Sequence, residues 1–573
     1  MPAFAGVLAL ALWAPAALAS FDVTIHGLSG DELKNVEARL SLRAYVEDDG
    51  EDPAQIRRLH RQAEEDIRGA LQAYGYYEPV IHAQLKGDPP EEAVYDIEPG
   101  PPTLLGEVAL EVTGPGAQER ALLEVIARSR LHPGERLHHQ DYEDGKSALA
   151  RTAYQNGYLD ARFTAHSLVV DALRRRADVR LTLETGPHYF FGEVSVAQEG
   201  LDPGFIARYV PIVPGEPFNP DKLLAAQFLL SDLGYFATVD VQPQRDKTVD
   251  GRIPIVIATT PRPPRKYEVG TGYGTDTGAR ISLGTEFRRL NDSGHKLRVD
   301  TRLSQVKNSA GLDYRIPLGT RAGENLGFAT TYTVEDVGDG YSRRYDFTIN
   351  LSRTPGKWQR QIYLKHQYEQ SYEPGTGTDS TKLLLPGVSY SRGQLDDPIH
   401  ARNGWSVFLD LHGGTEAVVS DVTFLQGRAL LRAVRPWGER VRILGRVELG
   451  ASVVDTFREL PVSQRFFAGG DQSVRGYAYQ SLGRRDENGL LVGGKYVTTY
   501  SLETEVRVWG HWGAAAFFDM GNADDDPAPH LYRGTGLGLR YRAPIGTVQV
   551  DLAYPLDGDR HGIRPHLGIR VGL

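Results

Sequence analysis

Two different spacings of apolar residues divide this chain into two parts. In the first part, apolar side chains recur at steps of three and four, as in Ile56, Leu59, Ala63, Ile67, Ala70 and Tyr74. This spacing places them on one face of an α-helix, and Gly75 supplies the left-handed residue that closes such a helix. From about residue 265 the spacing changes to two, as in Tyr345, Phe347, Ile349 and Leu351. A period of two predicts β-strands with one apolar face and one polar face.

The helical part of the chain repeats itself. A helix-closing glycine followed by aromatic or apolar residues occurs at Gly75, Gly157 and Gly234, at separations of 82 and 77 residues. A Gly-Pro pair followed by Gly-Glu-Val occurs at 100–108 and again at 186–194. Each repeat predicts a strand, helices and two more strands, which gives α+β modules at residues 20–100, 101–186 and 187–264. An array of small modules fused to a different domain indicates a protein that handles other macromolecules rather than an enzyme with one active-site pocket.

The alternating part, residues 265–573, predicts a transmembrane β-barrel. A soluble β-sandwich would also show the alternation, but three features favour a barrel. The alternating segments are about ten residues long, the span that a tilted membrane strand needs. Long polar Gly/Asp-rich stretches separate them, and no helical pattern interrupts them. A closed barrel satisfies every backbone hydrogen bond in lipid, and 12, 16 or 18 strands would fit the length.

Composition narrows the classes of function. The chain has 573 residues and a net charge of −10, which excludes a strongly basic nucleic-acid-binding protein. It has no cysteine, which excludes a disulfide framework and thiolate metal sites. Residues 1–19 are apolar and end in Ala17-Leu18-Ala19, which predicts a secretory signal cut after Ala19. The usual basic start of such a signal is missing, because the first Lys or Arg is Lys34. No later run of 18 apolar residues predicts a transmembrane helix.

Three local motifs stand out in the barrel part. A long connection between strands contains Gly469-Gly470-Asp471-Gln472-Ser473 followed by Val474, Arg475, Gly476 and Tyr477. Downstream, Phe517, Asp519 and Gly521 form an F-x-D-x-G strand. The last strand carries its apolar residues on one face, Leu567, Ile569, Val571 and Leu573.

These features together resemble a known superfamily. The βααββ modules are similar to POTRA domains, and the two barrel motifs resemble the VRGY loop and the F-x-D-x-G strand of the superfamily that contains BamA, TamA and the two-partner secretion transporters. The resemblance implies an all-β barrel of 16 antiparallel strands behind three POTRA-like modules. It also implies a bacterial outer-membrane location with the modules in the periplasm. The terminal strand resembles the assembly signal of such barrels, although it ends in leucine instead of an aromatic residue.

In that superfamily the loop folds back into the barrel and its arginine meets an acidic residue on the inner wall. Carried over, Arg475 is the loop arginine and Asp519 is its first candidate partner. Strand parity independently puts Asp519 on the lumen face, and the same count adds Glu503 and Asp551 as alternative or additional partners. Gly476 would let the backbone turn beside the arginine. Because the lumen is expected to be wet, we expect partial screening and less than the roughly 3–5 kcal/mol of a fully buried pair.

The module count is most similar to the TamA family. That resemblance implies insertion of β-barrel clients such as autotransporters into outer-membrane lipid, with a TamB-like periplasm-spanning protein as partner. The modules would bind partner or client by adding a strand at an exposed sheet edge, and a weakly paired barrel seam would template insertion. Two alternatives stay open: a secretion pore of the two-partner type and a structural tether that inserts nothing. Ion conductance would favour the pore.

None of the segments that resemble enzyme motifs predicts an active site. Gly534-Thr535-Gly536-Leu537-Gly538 lacks the helix that a dinucleotide-binding loop needs, and its alternation predicts a barrel strand. Gly270 to Gly274 likewise predicts a strand near the barrel entry. His138 and His139 have acids nearby but no zinc spacing, so we predict solvated turn residues. The sequence therefore predicts no catalytic residues, no cofactor and no metal.

Overall fold

A computed structural model describes residues 21–47, 52–319, 321–374, 377–558 and 562–572. The predicted signal segment, residues 1–19, and Leu573 lie outside the described residues. The predicted fold class is confirmed: three modules of strands and helices precede a 16-stranded antiparallel barrel.

The first module packs three helices on a three-stranded sheet. Its elements are β1 (Asp22–His26), α1 (Gly30–Arg39), α2 (Ser41–Glu47), α3 (Pro53–Gln72), β2 (Val80–Lys86) and β3 (Glu92–Glu98). The sheet order is β1-β3-β2, with β1 parallel to β3. Helix α3 starts where the Asp52 side chain accepts a hydrogen bond from the Ala54 amide (3.0 Å), and it buries Ile56, Ala63 and Ile67 on the predicted face. That face forms the module core.

The second and third modules repeat this plan with two helices each. The second contains β4 (Leu104–Thr113), α4 (Arg120–Ala127), α5 (His139–Gln155), β5 (Arg162–Asp171) and β6 (Arg176–Glu184), in the sheet order β4-β6-β5. The third contains β7 (Phe190–Ala197), α6 (Pro203–Ala207), α7 (Pro220–Asp232), β8 (Phe236–Pro243) and β9 (Arg252–Pro261), in the order β7-β9-β8.

The prediction for His138 and His139 is wrong. His139 opens α5 instead of lying in a solvated turn, and its Nε2 atom is 2.7 Å from the Tyr77 hydroxyl. Both histidines are half-buried, because aromatic residues on either side of the first helix-closing glycine pack against them: Tyr74 contacts His138 and Tyr77 contacts His139.

The helix-closing glycines are also the joints of the array. The Gly75 carbonyl accepts a hydrogen bond from the Thr103 amide (2.8 Å), and the Gly157 carbonyl accepts one from the Tyr189 amide (2.8 Å). Each joint therefore ties the end of a helix to the start of the next module, just after the repeated Gly-Pro pair. The sequence marker of the repeat is thus a structural contact between consecutive modules.

Among the described residues, none of the helices combines the length and the apolar character needed to cross a lipid bilayer.

The barrel is a single sheet in which each strand pairs with its neighbours in sequence. Its strands are β10 (Arg265–Gly274), β11 (Gly278–Phe287), β12 (Lys296–Ser304), β13 (Lys307–Pro317), β14 (Asn325–Val337), β15 (Gly340–Arg353), β16 (Gln359–Glu373), β17 (Gly377–Leu395), β18 (Gly404–Gly414), β19 (Phe424–Trp437), β20 (Val441–Val454), β21 (Tyr496–Trp509), β22 (Trp512–Asp524), β23 (Tyr532–Ala543), β24 (Gly546–Pro555) and β25 (Arg564–Arg570). Side chains alternate between the two faces: on β22, Asp519 is fully buried while its neighbour Phe518 is 39 % exposed.

The first and last strands of the barrel form a seam. Every other neighbouring pair is joined by a backbone ladder, such as the ten residue pairs that join β10 to β11. Within the described residues, no such ladder joins β10 to β25. The two strands are bridged where the Leu567 amide donates to the hydroxyl of Thr275, in the turn after β10 (3.3 Å). The seam is therefore the weakest line of the barrel wall.

Candidate functional site

The long connection between β20 and β21, residues 455–495, is packed against the inner wall of the barrel. Its apolar side chains form a small core with wall residues: Phe466, Ala468, Val474 and Leu482 from the loop, with Val497 and Ala523 from β21 and β22. Backbone hydrogen bonds join Phe466 and Gly494 in both directions (3.0 and 2.9 Å), which closes the base of the loop. We call this segment the lumen loop.

Arg475 is the most heavily bonded side chain of the lumen loop. Its Nε and one terminal nitrogen donate to the two carboxylate oxygens of Asp519 at 2.7 and 3.0 Å. Its other terminal nitrogen donates to Glu503 (2.7 Å) and Asp551 (3.0 Å). The guanidinium carbon lies 3.5 Å from the centre of the Phe517 ring. The two-pronged contact fixes the orientation of the arginine as well as its position.

The three acids predicted from strand parity therefore surround one guanidinium. Asp519 lies on β22, Glu503 on β21 and Asp551 on β24. The arginine joins three wall strands to the loop, and two of them, β21 and β22, are neighbours in the sheet.

A larger ion-pair network supports this contact. It adds one carboxylate and three arginines of the barrel wall, Glu505, Arg442, Arg540 and Arg570. Arg540 donates to Glu503 (2.8 Å) and to Asp551 (2.5 Å), and Arg442 pairs with Glu505 (2.6 Å). The network thus contains four arginines and four carboxylates, and Arg475 is the one arginine that the loop contributes.

The expectation of a wet, screened pair is wrong. Asp519 and Asp551 are 0 % exposed and Arg475 is 4 % exposed. The Phe517 ring covers the guanidinium, and the charge of the carboxylates is compensated by arginines. Burial at this level requires paired charges, because a carboxylate without a partner would be strongly destabilising.

The neighbours of Arg475 in the motif fix the loop on both sides. Val474 is fully buried in the loop core. Gly476 adopts φ = +99°, a left-handed backbone that favours glycine, and its amide donates to His566 Nε2 on the last strand (3.1 Å). The Tyr477 hydroxyl donates to the carbonyl oxygens of Asp557 (2.8 Å) and Arg533 (3.1 Å).

Gly521, Leu567 and Ile569, which were also predicted, lie on barrel strands. Gly521 pairs with Thr499 in the β21–β22 ladder, two residues beyond Asp519. On the last strand, Ile569 and the following Val571 are 43 % and 57 % exposed, whereas His566 is buried, so the predicted division into two faces is present. The regular strand ends at Arg570, and the Gly572 amide donates to the Ile399 carbonyl (3.0 Å).

Sequence reasoning did not single out Arg540 or the stacking of Phe517. Both could have been found by the parity argument used for Asp519. Leu537, Leu539 and Tyr541 alternate on one face of β23, which leaves Arg540 on the other. Phe517 shares the parity of Asp519, so it faces the lumen although it is aromatic.

The glycine-rich segment of β23 lets the lumen loop pack closely against the barrel wall. A Cβ atom at Gly534 would lie 2.0 Å from the backbone oxygen of Arg475. Only a residue without a side chain lets the loop backbone approach the wall this closely.

Gly534→Ala should therefore push the lumen loop off the wall. Because the clash is with backbone, we expect a loss of about 1–3 kcal/mol in barrel stability, the usual range for overpacking. The measurement is thermal unfolding in detergent, together with protease cleavage within residues 455–495. Gly445→Ala is the matched control, because a Cβ atom there meets nothing within 4 Å. Equal behaviour of the two variants would contradict the close-approach role of Gly534.

Comparison with known proteins identifies the family. Residues 290–572 match the model of the Omp85 superfamily domain. Residues 22–99 match the model of POTRA domain TamA domain 1, and residues 189–261 match the POTRA model described as surface antigen variable number repeat. This chain is an Omp85 superfamily protein with POTRA domains. It is an outer-membrane β-barrel protein whose N-terminal POTRA domains lie in the periplasm.

Individual proteins that are similar to this Omp85 protein include two BamA proteins. The outer membrane protein assembly factor BamA of Nitratidesulfovibrio vulgaris strain Hildenborough is 23 % identical over 517 residues, which cover 85 % of this chain. The chain spans 64 % of the length of that relative. The crystal structure of BamA from Haemophilus ducreyi lacking POTRA domains 1–3 matches with a TM-score of 0.64 at 15 % identity, covering 81 % of this chain and 98 % of that one. The second likeness concerns the fold alone.

One group of side chains among the described residues has the donor set of a metal site. Asp276, Asp471 and His566 each offer an oxygen or nitrogen atom, and these atoms all lie within 4.8 Å of one another.

Proposed function

We propose that this Omp85 protein inserts or translocates β-barrel and autotransporter clients at the outer membrane. The observation that carries the proposal is the seam: β10 and β25 lack a backbone ladder within the described residues, whereas all other neighbouring strands have one. A client strand can pair with an edge that offers unpaired N–H and C=O groups. The free energy then comes from client folding, without a nucleotide.

The lumen loop acts in this proposal as the support of the wall beside the seam. Arg475 binds Asp519, Glu503 and Asp551, which lie on β22, β21 and β24, close to the last strand in the sheet. The contacts of Val474, Gly476 and Tyr477 hold the lumen loop against the wall. With these strands held by the loop, opening is confined to the line between β10 and β25. The apolar face of the last strand, with Leu567, Ile569 and the following Val571, would meet lipid and would be recognised during assembly of the barrel.

The POTRA modules supply the second element of the proposal. We assign them to residues 20–100, 101–186 and 187–264, after a signal at 1–19 and before the barrel at 265–573. Each three-stranded sheet has two edge strands, such as β4 and β5 in the second module. A client or partner segment can extend such an edge through main-chain hydrogen bonds that do not depend on its sequence.

Within the superfamily we propose a TamA-like role with a TamB-like periplasmic partner. It is supported by the match of residues 22–99 to the first POTRA domain of TamA and by the presence of three modules. The similarity to BamA supports handling of unfolded outer-membrane clients more generally.

Reconstitution of the full chain into outer-membrane lipid vesicles tests the proposal. A urea-unfolded autotransporter barrel is diluted into these vesicles, and its folded form is followed by heat-modifiable mobility and protease protection. We expect insertion at least about tenfold faster than in empty vesicles, a change of about 1.4 kcal/mol in the barrier. Unchanged insertion with ion conductance would replace the proposal by a secretion pore, and unchanged insertion without conductance by a tether.

A further inference from the structure

Three side chains from different parts of the barrel meet beside the seam. Asp276 lies in the turn after β10, Asp471 in the lumen loop, and His566 on β25. The Asp276 carboxylate accepts a hydrogen bond from the Asp471 amide (2.5 Å). The Asp471 carboxylate accepts from the Thr275 hydroxyl (3.3 Å) and is hydrogen-bonded to His566 Nδ1. Both edges of the seam are thus joined to the loop at one point.

The chain approaches this point closely because the loop has glycine there. A Cβ atom at Gly470 would lie 2.4 Å from Oδ2 of Asp276, and Gly470 adopts φ = +103°. Any other residue would separate the loop from the turn after β10. The Gly-Gly-Asp segment before the arginine motif is therefore shaped to bring the Asp471 backbone onto Asp276.

The protonation of His566 argues for a hydrogen-bonded contact rather than a metal site. The Gly476 amide donates to His566 Nε2 (3.1 Å), so this nitrogen carries a lone pair and, in the neutral ring, the proton is on Nδ1. Nδ1 then donates to the Asp471 carboxylate. A metal on Nδ1 would require the proton to move to Nε2, where it would face the Gly476 amide hydrogen.

We propose that Asp276, Asp471 and His566 are positioning residues of client insertion, which form a latch that ties the lumen loop to both strands of the seam. This inference rests on the proposed opening of the seam. Opening β10 from β25 requires the latch to break, because its members lie on the two sides of the seam and on the loop between them. The loop and the seam therefore change state together.

The charge of Asp276 makes the latch sensitive to pH. Its Oδ1 atom is buried without a hydrogen-bond partner among the described residues. Burial and the neighbouring Asp471 charge raise the pKa of Asp276 to about 6, against partial compensation from the hydrogen bond donated by the Asp471 amide and from the nearby Arg564. Asp276 thus binds a proton more tightly in the closed latch than in an open latch, where it would be exposed and its pKa would be about 3.9. The closed state is weakened when Asp276 is ionised above pH 6 and gains strength as the pH falls below 6.

Distance measurement across the seam tests the latch in the full chain. Because the chain has no cysteine, Tyr273→Cys and Leu567→Cys accept one spin label each, and pulsed spectroscopy in outer-membrane lipid reports open and closed populations. The ratio of closed to open should rise about tenfold from pH 8 to pH 5. Asp276→Asn should remove this dependence and stay closed at pH 8. Asp313→Asn is the control, because this carboxylate pairs with Arg315 outside the latch, and it should keep the dependence.

Other outcomes overturn the latch. Asp276→Asn with the pH dependence of the parent chain would refute it. A shift of the parent distances on adding EDTA would indicate a metal site instead. If Asp276→Asn does not fold, Gly470→Ala replaces it and should lengthen the seam distance at both pH values; an unchanged distance would again refute the latch. These measurements use no client, so failure of client insertion in all chains would count against the proposed function alone.

Discussion

Arg475→Gln should destabilise the barrel by about 3–5 kcal/mol, the typical result of removing one partner from a buried ion pair. The substitution leaves four carboxylates with three arginines in a network whose members Asp519 and Asp551 have no solvent exposure. It also removes the contacts that hold the lumen loop on β21, β22 and β24. The measurement is the thermal midpoint in detergent, read from heat-modifiable mobility, with client insertion followed in parallel.

Two further variants separate charge balance from loop docking. Arg485→Gln lies in the same loop but exposed, so it should leave the midpoint unchanged. Arg475→Gln combined with Asp519→Asn restores equal numbers of charges and should recover most of the stability, while the loop stays undocked and insertion stays slow. Equal thermal midpoints for Arg475→Gln and Arg485→Gln would show that the ion-pair network does not stabilise this part of the barrel.

Joining the two seam strands covalently should reduce client insertion at least about tenfold, to the rate of lipid alone. Tyr273→Cys and Leu567→Cys provide the anchor sites in a chain without other cysteines, and a short bis-maleimide closes them. Tyr273 lies two residues, about 7 Å, before Thr275, whose hydroxyl accepts from the Leu567 amide at 3.3 Å.

The same cross-link between β10 and β11 is the matched control. Val269 and Leu283 are paired in that ladder and are 75 % and 51 % exposed, so Val269→Cys with Leu283→Cys joins strands that are already hydrogen-bonded. This cross-link should leave insertion unchanged. Full activity of the chain with a locked seam would exclude lateral opening, and loss of activity in both chains would show that the reagent damages the barrel.

Several features of the site follow from local patterns. A period of two assigns Asp519, Glu503 and Asp551 to the lumen side, and the structure has all three in contact with Arg475. The same rule could have assigned Arg540, because it depends only on which side of a strand a residue faces. The rule gives no information on how deeply a residue is covered, so it does not predict that the ion pairs of Arg475 are buried.

The seam cluster lies beyond any local pattern. Asp276 and Asp471 are 195 residues apart, and Asp471 and His566 are 95 apart. Neither separation is related to a helical or strand period, so no spacing in the sequence connects these residues. They meet because the barrel brings its first and last strands together and because Gly470 lets the loop reach the turn after β10.

The two apolar periods can be read from the sequence, and with them the repeated modules, the barrel and the face of each strand that meets the lumen. These are local properties, because a side chain's direction depends on the backbone of a few neighbouring residues. The folded barrel is needed to show which lumen residues touch, how four arginines balance four buried carboxylates, and that the lumen loop contacts both sides of the seam. Those contacts depend on the path of the chain between distant residues, where closure of the sheet and the packing of the loop fix distances that no short-range pattern contains.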